Sequence, residues 1–446
     1  MKQDHFRNRP ARRTALAGAL AVGAILCLPA PARAAGHGEY GPLEIKGSEQ
    51  QLMKSTAGYE DQFVRRSYRY GSADLDAAIT RIGLLLAPKP TDPYIRYRFH
   101  VLRDIEPNAF SLPDGQVYVN TGLLAVLENE AQLAAVLGHE VQHTAGHHGI
   151  LTYRSTRRKL ITGSLLGPFT LGISDIFLIN SLYGYSRDLE EEADRLGAQK
   201  MTRAGYDPRQ IPKVFAILMR DPEGESPDFK TFWSTHPALQ SRIDYTRAMI
   251  PGLTVGVNPD GLKVNAQGFR RLVRRASLDT VQDLVGADYG RTAIDLAKRL
   301  VAENGGDPAC QIALGDARVA LGARAMLGAE GDLTNRDKWK NLKTRVRYTR
   351  SERQEQLLET PEGQKNLRKN LEEARQSYQR ALAIDPNAAE AHRGLGYVYK
   401  GMNRPFDAGR EFVTYLKASP QAPDKPVILS ELKEINTKIK KGGKGT

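Results

Sequence analysis

The stretch Asn129-Glu130-Ala131-Gln132-Leu133-Ala134-Ala135-Val136-Leu137-Gly138-His139-Glu140-Val141-Gln142-His143 decides how this chain is read. Leu133, Val136, Leu137 and Val141 recur at helical spacing, so the segment is expected to be a helix with an apolar face. On such a helix His139 and His143 stand one turn apart on a single face. Two imidazoles so placed can converge on one zinc ion at about 2.0–2.1 Å, with Glu140 next to a metal-bound water. Zinc lowers the pKa of that water toward roughly 7, and the glutamate takes its proton and later passes it to the leaving amine. The pentapeptide alone would equally fit two surface histidines on an amphipathic helix. The apolar surroundings favour metal, because an unligated pair of imidazoles is costly there. His147 and His148 follow within five residues; an imidazole there could support a ligand from behind but is more often solvated, and neither is given a ligand role.

A catalytic zinc needs a third protein ligand, and a glutamate on a separate helix is one solution. In Ser186-Arg187-Asp188-Leu189-Glu190-Glu191-Glu192-Ala193-Asp194, Glu190 and Asp194 are one turn apart and share a face with Arg187 and Gly197. Glu190 is the candidate ligand, and Asp194 the group that accepts the other ring N–H of a ligand histidine. Glu191 and Glu192 read as a solvated acidic face.

Outward from these motifs, Ser72 to Ala87 reads as a helix, with Leu75, Ala78, Ile79, Ile82, Leu85 and Leu86 on its apolar side. Tyr94 to Leu102 alternates as a half-buried strand. Phe110 to Asn120 reads as a second strand interrupted by Pro113-Asp114-Gly115, which implies an edge or a bulge. Val117, Tyr118 and Val119 on that edge are expected to hold an extended substrate through main-chain hydrogen bonds. Ile161 to Ser186 is apolar and glycine-rich, with Asp175 its only charge. It is expected to be a lid or a membrane-touching loop, with a buried core hairpin as the alternative.

Taken in order, Asn108-Ala109-Phe110-Ser111-Leu112-Pro113-Asp114-Gly115, Thr121-Gly122-Leu123-Leu124, His139 to His143 and Ser186 to Asp194 resemble the HtpX/Oma/CAAX-prenyl-protease family of zinc metallopeptidases. The resemblance extends to Ala204-Gly205-Tyr206-Asp207-Pro208 and Ser234-Thr235-His236-Pro237-Ala238-Leu239-Gln240-Ser241-Arg242-Ile243, covering about residues 50–250. The pattern is most similar to the periplasmic BepA-type members, which join such a domain to tetratricopeptide repeats. Asp114 departs from it, since a second glycine is more usual there. The resemblance implies a gluzincin-type domain in which His139, His143 and Glu190 hold one zinc per chain and Glu140 is the general base. It also singles out Arg242, as a supporting residue with Asp194, and His236. His236 is expected either to stabilise the oxyanion as a catalytic group or to occupy the open zinc position as a removable fourth ligand.

The chain has 446 residues, enough for several domains, and 41% hydrophobic with 26% charged residues is ordinary globular usage. Residues 1–34 read as a secretory signal, with a basic start, an apolar run from Thr14 to Ala30 and Ala32-Arg33-Ala34 before the cut. Arg12-Arg13 is a weak match to a twin-arginine signal. Removing this segment takes away six basic residues and one acidic, so the formal charge falls from +13 to +8. Of Cys27 and Cys310 only the second remains, which excludes an intrachain disulfide. Residues 252–285 read as a linker or small hairpin with a basic cluster at Arg270 to Arg275. Beyond it, Ala374, Tyr378, Ala381, Asp385-Pro386 and Ala391, Gly394, Tyr397 lead to Ser419-Pro420, 34 residues after Pro386, the tetratricopeptide period. Asp307-Pro308 opens an earlier unit, with a charged insertion from Asp332 to Gln364 after it.

The expected architecture is α+β and mostly helical. A metallopeptidase domain with a small β-sheet (35–251) is followed by the linker, an α-solenoid of repeats (286–432) and a frayed basic tail (433–446). The expected function is a periplasmic zinc endopeptidase cutting unfolded or misassembled envelope proteins in quality control, with the repeats contacting such partners or outer-membrane assembly machinery. Peripheral membrane contact is one reading of 161–186, beside a lid and a core hairpin, and no nucleic-acid partner is expected. The rival reading is a chaperone or assembly scaffold with a latent metal site.

Overall fold

The computed structural model describes residues 43–47, 49–51, 53–54, 69–90, 92–162, 184–219, 239–287, 289–323 and 360–442. The signal segment, His236 and nearly all of the apolar Ile161 to Ser186 stretch lie outside these residues.

Helix α1 (Ala73–Leu86) begins where the Ser72 side chain accepts the Leu75 backbone N–H, and Asp74 and Asp76 suit its positive end. Leu75, Ala78, Ile79, Ile82 and Leu86 are buried, whereas Leu85 faces solvent. Strand β1 (Arg98–Leu102) packs on this helix. The contact is close because Gly83 has no side chain: a Cβ there would lie 2.2 Å from the Phe99 ring.

Strands β2 (Ala109–Ser111) and β3 (Gln116–Asn120) complete a three-stranded sheet of order β1-β3-β2. β3 runs parallel to β1, Arg98 opposite Gln116, and antiparallel to β2, Phe110 opposite Tyr118. This corrects the expected edge. Pro113-Asp114-Gly115 does not interrupt one strand but turns the chain between two: Leu112 N–H donates to the Gln116 carbonyl, and Gly115 takes φ +98°, which a side chain would oppose. β3 is therefore central, all five of its residues are buried, and both of its edges are paired.

Helix α2 (Thr121–Val126) follows, then α3 (Glu130–Ala145), every residue of which is buried. Next come α4 (His148–Thr162), α5 (Arg187–Arg203), α6 (Ile211–Leu218) and α7 (Leu239–Leu253). One core joins Leu75 and Ile79 of α1, Val117 and Val119 of β3, Leu133 and Leu137 of α3, Met201 of α5 and Phe215 of α6. The start of α3 is fixed twice. Asn129 caps it by accepting the Gln132 N–H at 3.0 Å. Glu130 accepts from Tyr206 at 2.7 Å, and from Lys263 and Asn265.

The expected linker is the largest departure from the sequence reading. Ala266–Gly286 is a 21-residue helix, α8, started by Asn265, whose side chain accepts the Gly268 N–H. Phe269, Val273 and Ala276 on α8 enter the core just described. Leu278, Val281 and Leu284, further along, enter a second core with α9 (Gly290–Glu303) and α10 (Pro308–Ala323). Arg103 beside the sheet donates to Asp283 at 2.8 and 2.9 Å, and Tyr70 donates to Asp279 at 2.7 Å.

Helices α11 (Pro361–Ile384), α12 (Ala389–Gly401), α13 (Pro405–Ala418) and α14 (Lys425–Gly442) follow, each packed on the one before. α10 and α11 pack directly on each other; of the charged insertion, residues 361–364 form the first turn of α11, and residues 332–359 lie outside the described residues. The Tyr378 ring fills the crossing: a Cβ on Gly315 would lie 2.6 Å from it and one on Gly394 2.2 Å. The tail expected to fray is helical through Gly442, because Ile428 and Ile435 are buried in the repeat core. Among the described residues no helix is long and apolar enough to cross a membrane.

Candidate metal centre

α3 and α5 cross where both lack side chains. A Cβ on Gly197 would sit 3.0 Å from the Gly138 carbonyl carbon and from the His139 N, and one on Gly138 3.3 Å from the Gly197 oxygen. This backbone-to-backbone approach brings the two motifs into one site. His139 Nε2 and His143 Nε2 are 2.9 Å apart. Glu190 Oε2 lies 3.6 Å from the first, and its Oε1 3.4 Å from the second. One ligand atom from each of the three residues falls within 4.8 Å of the others, and all three residues are buried.

The surroundings aim these atoms. Asp194 Oδ1 sits 2.8 Å from His139 Nδ1, which leaves Nε2 facing the cluster. Arg242 is itself buried; it holds Asp194 through two bonds of 2.8 Å and places NH1 2.8 Å from Glu190 Oε2. Its guanidinium rests 4.4 Å above the Phe215 ring. Burial pushes the Asp194 carboxyl upward, but Arg242 and His139 outweigh it and hold the group well below the usual carboxylate range. Burial and the neighbouring His139 push the His143 imidazole well below its ordinary pKa, which keeps it neutral, as a metal ligand needs to be. Two imidazole nitrogens and one carboxylate, buried and convergent, are a donor set that fits zinc.

The expected residues divide clearly. His139, Glu140, His143, Glu190, Asp194 and Arg242 come together, although they derive from three helices. Val117, Tyr118 and Val119 do not form a binding edge: they are 0%, 1% and 0% exposed on a strand paired on both sides, and Tyr118 stacks on Phe110. The strand beside the site is β2. Ser111 on it donates to Glu140 Oε2 at 3.1 Å, and its outer edge carries no strand among the described residues. His147 and His148 are buried rather than solvated, because α3 ends at Ala145 and the chain turns inward through His147 at φ +54°. Glu192, expected on a solvated face, is partly buried and places Oε2 3.6 Å from His148 Nε2.

Sequence reasoning gave no role to Ser111, Tyr185 or Tyr245. Tyr185 stacks on the His143 ring with centroids 3.9 Å apart, and Tyr245 donates to Asp194 Oδ2. Tyr245 follows Arg242 by three residues, on the same helix face, and Ser111 lies inside the motif quoted for residues 108–115; both signals were present. An apolar recess of Val136, Ile211, Val214 and Phe215 opens onto His139 and Glu140.

Residues 74–250 match the model of peptidase family M48. They form an M48 peptidase domain. The M48 domain contains every described residue of the cluster, and residues 366–403 match a TPR repeat model. The chain is similar to mitochondrial metalloendopeptidase OMA1 of Schizosaccharomyces pombe, 35% identical over 35% of this chain and 48% of that protein. It is similar to the same enzyme of Saccharomyces cerevisiae at 31% identity, over 35% of this chain and 48% of that protein. It is also similar to the beta-barrel assembly-enhancing protease of Escherichia coli, 27% identical over 37% of each chain. The chain thus spans about half or less of the length of the relatives it matches.

Proposed function

We propose that this chain is a zinc-dependent endopeptidase, one metal per chain, that cuts unfolded or misassembled proteins of the cell envelope from the periplasmic side. The observation that carries this reading is the convergence of His139, His143 and Glu190 around one point with Glu140 beside it. Zinc, when bound there, polarises a water and brings its pKa toward roughly 7. Glu140, beside the ligand atoms, would serve as the general base and carry the proton to the leaving amine; Ser111 Oγ, which donates to Oε2, orients the carboxylate for both transfers. The substrate adds as a further strand to the outer edge of β2, Ala109 to Ser111, in place of the β3 edge expected from sequence.

The helices beyond α8 serve as the capture arm, since stacked repeats present an extended surface to proteins. Kinship with a protease named for β-barrel assembly supports envelope proteins as the substrates and assembly machinery as a partner. Residues 1–34 direct export, and His236 acts at the site as a fourth ligand or an oxyanion donor. The test is metal analysis of the purified mature chain with a casein assay. Wild type should carry one zinc and cleave, and Glu140→Gln should carry the same zinc and not cleave. A wild-type chain free of zinc and inert toward casein would overturn the reading in favour of the scaffold.

A further inference from the structure

The two candidate ligand histidines are braced differently. His139 has a carboxylate directly on its rear nitrogen, Asp194 at 2.8 Å. His143 has another imidazole in that position: His148 Nδ1 lies 2.9 Å from His143 Nδ1. His148 is fully buried, its ring set edge-on to His143 with centroids 4.9 Å apart. Its far nitrogen, Nε2, faces Glu192 Oε2 at 3.6 Å. His148 is not itself a ligand, because it approaches His143 from the side opposite Glu190.

This arrangement fixes where the protons sit when the site is loaded. His143 presents its Nε2 lone pair to the metal, so its ring proton is on Nδ1 and is donated to His148 Nδ1. That nitrogen then accepts, so the proton of His148 is on Nε2, pointed at the Glu192 carboxylate. The break after Ala145 makes this possible. With φ +54° at His147, the chain starts α4 at His148 and drives the ring back under α3, where a continuing helix would carry it round to another face.

We infer that Glu192 and His148 form a positioning relay for His143, setting its tautomer and ring orientation and thereby the affinity of the site for zinc. The inference rests on the proposed zinc-peptidase reading, and the two can fail separately. Loss of an outer partner of a metal-ligating histidine costs about 10–100-fold in metal affinity, so a fall in that range is expected when the relay is cut.

The experiment measures zinc affinity of the full mature chain by competition with a chromophoric chelator, together with the melting temperature of the zinc-stripped protein. His148→Leu keeps the bulk and removes the acceptor; zinc affinity should fall about 10–100-fold. His148→Asn returns an acceptor near the Nδ1 position and should recover most of that loss, which a mere packing role would not allow. Glu192→Gln, at a partly exposed position, should weaken zinc less than His148→Leu, and Glu191→Gln, on the exposed neighbour, should leave it unchanged. Wild-type zinc affinity in both His148→Leu and Glu192→Gln overturns the relay. So does an equal loss in the Leu and Asn variants with an equal fall in zinc-free melting temperature. If His148→Leu does not fold, Glu192→Gln alone decides. In either case wild type still binding zinc and cleaving casein shows that the peptidase reading stands without the relay.

Discussion

Substituting Gly197 by alanine tests whether the backbone contact between α3 and α5 is what sets the metal site. The new methyl would lie 3.0 Å from the Gly138 carbonyl carbon and the His139 N, where ordinary contact begins at 3.4 Å. The helices must therefore part by about 0.4 Å in an interior with no slack to absorb it. Metal–ligand distances are held to within about 0.2 Å of ideal, so a shift of that size between His139 and Glu190 is felt directly. Two effects on stability oppose each other. Alanine gains about 0.8–1 kcal/mol over glycine in a helix interior, and overpacking costs about 1–3 kcal/mol. The zinc-free protein should thus lose no more than about 2 kcal/mol, while zinc affinity falls by about tenfold or more, as for loss of a supporting group. Gly138→Ala, whose methyl would meet the Gly197 oxygen at 3.3 Å, should do the same more mildly. Chelator competition and paired thermal melts with and without zinc measure both quantities. Gly197→Ala with wild-type zinc affinity would refute the claim that this crossing sets the ligand geometry.

Asp194→Asn removes the carboxylate charge opposite a buried Arg242 and should cost about 3–5 kcal/mol; an unchanged denaturation midpoint would count against the buried cluster. A chain ending before α8 strips Phe269, Val273 and Ala276 from the peptidase core. It should melt well below full length, whereas one ending after α9 should keep its zinc, and equal melting of the two would refute the shared core. Tyr378→Ala empties the space between Gly315 and Gly394 and should cost about 3–5 kcal/mol, read by chemical denaturation. Burial pushes Glu130 up, yet its bonds from Lys263, Tyr206 and Asn265 outweigh this and depress its pKa. Its contribution is therefore complete above the ordinary carboxylate value of about 4.3 and lost as pH falls below it; Glu130→Gln should flatten that acid loss in a melting-temperature profile.

The metal cluster was legible because its information is local: HExxH spacing on one helix, and Glu190 with Asp194 one turn apart on another. The strand order was not, since β3 becomes central only when β1 supplies a parallel edge from a distant stretch. The same alternation of Gln116 to Asn120 suits an edge or a centre. α8 was misread because the glycine- and asparagine-rich run before Asn265 drew attention from the helical spacing of Phe269, Val273 and Ala276 behind it. The burial of His148 was not legible for a different reason. Gly146 after Ala145 signals the end of the helix, but that the chain then turns inward follows from one left-handed residue, His147, which the sequence does not mark.

The hairpin of α10 and α11 is held by its own packing around Tyr378, while residues 324–359 join the two helices along the chain. The two helices are therefore mated by the fit of one ring between two glycines and not by chain continuity alone, so α10 and α11 supplied as separate fragments should still associate, with Tyr378 seated between Gly315 and Gly394.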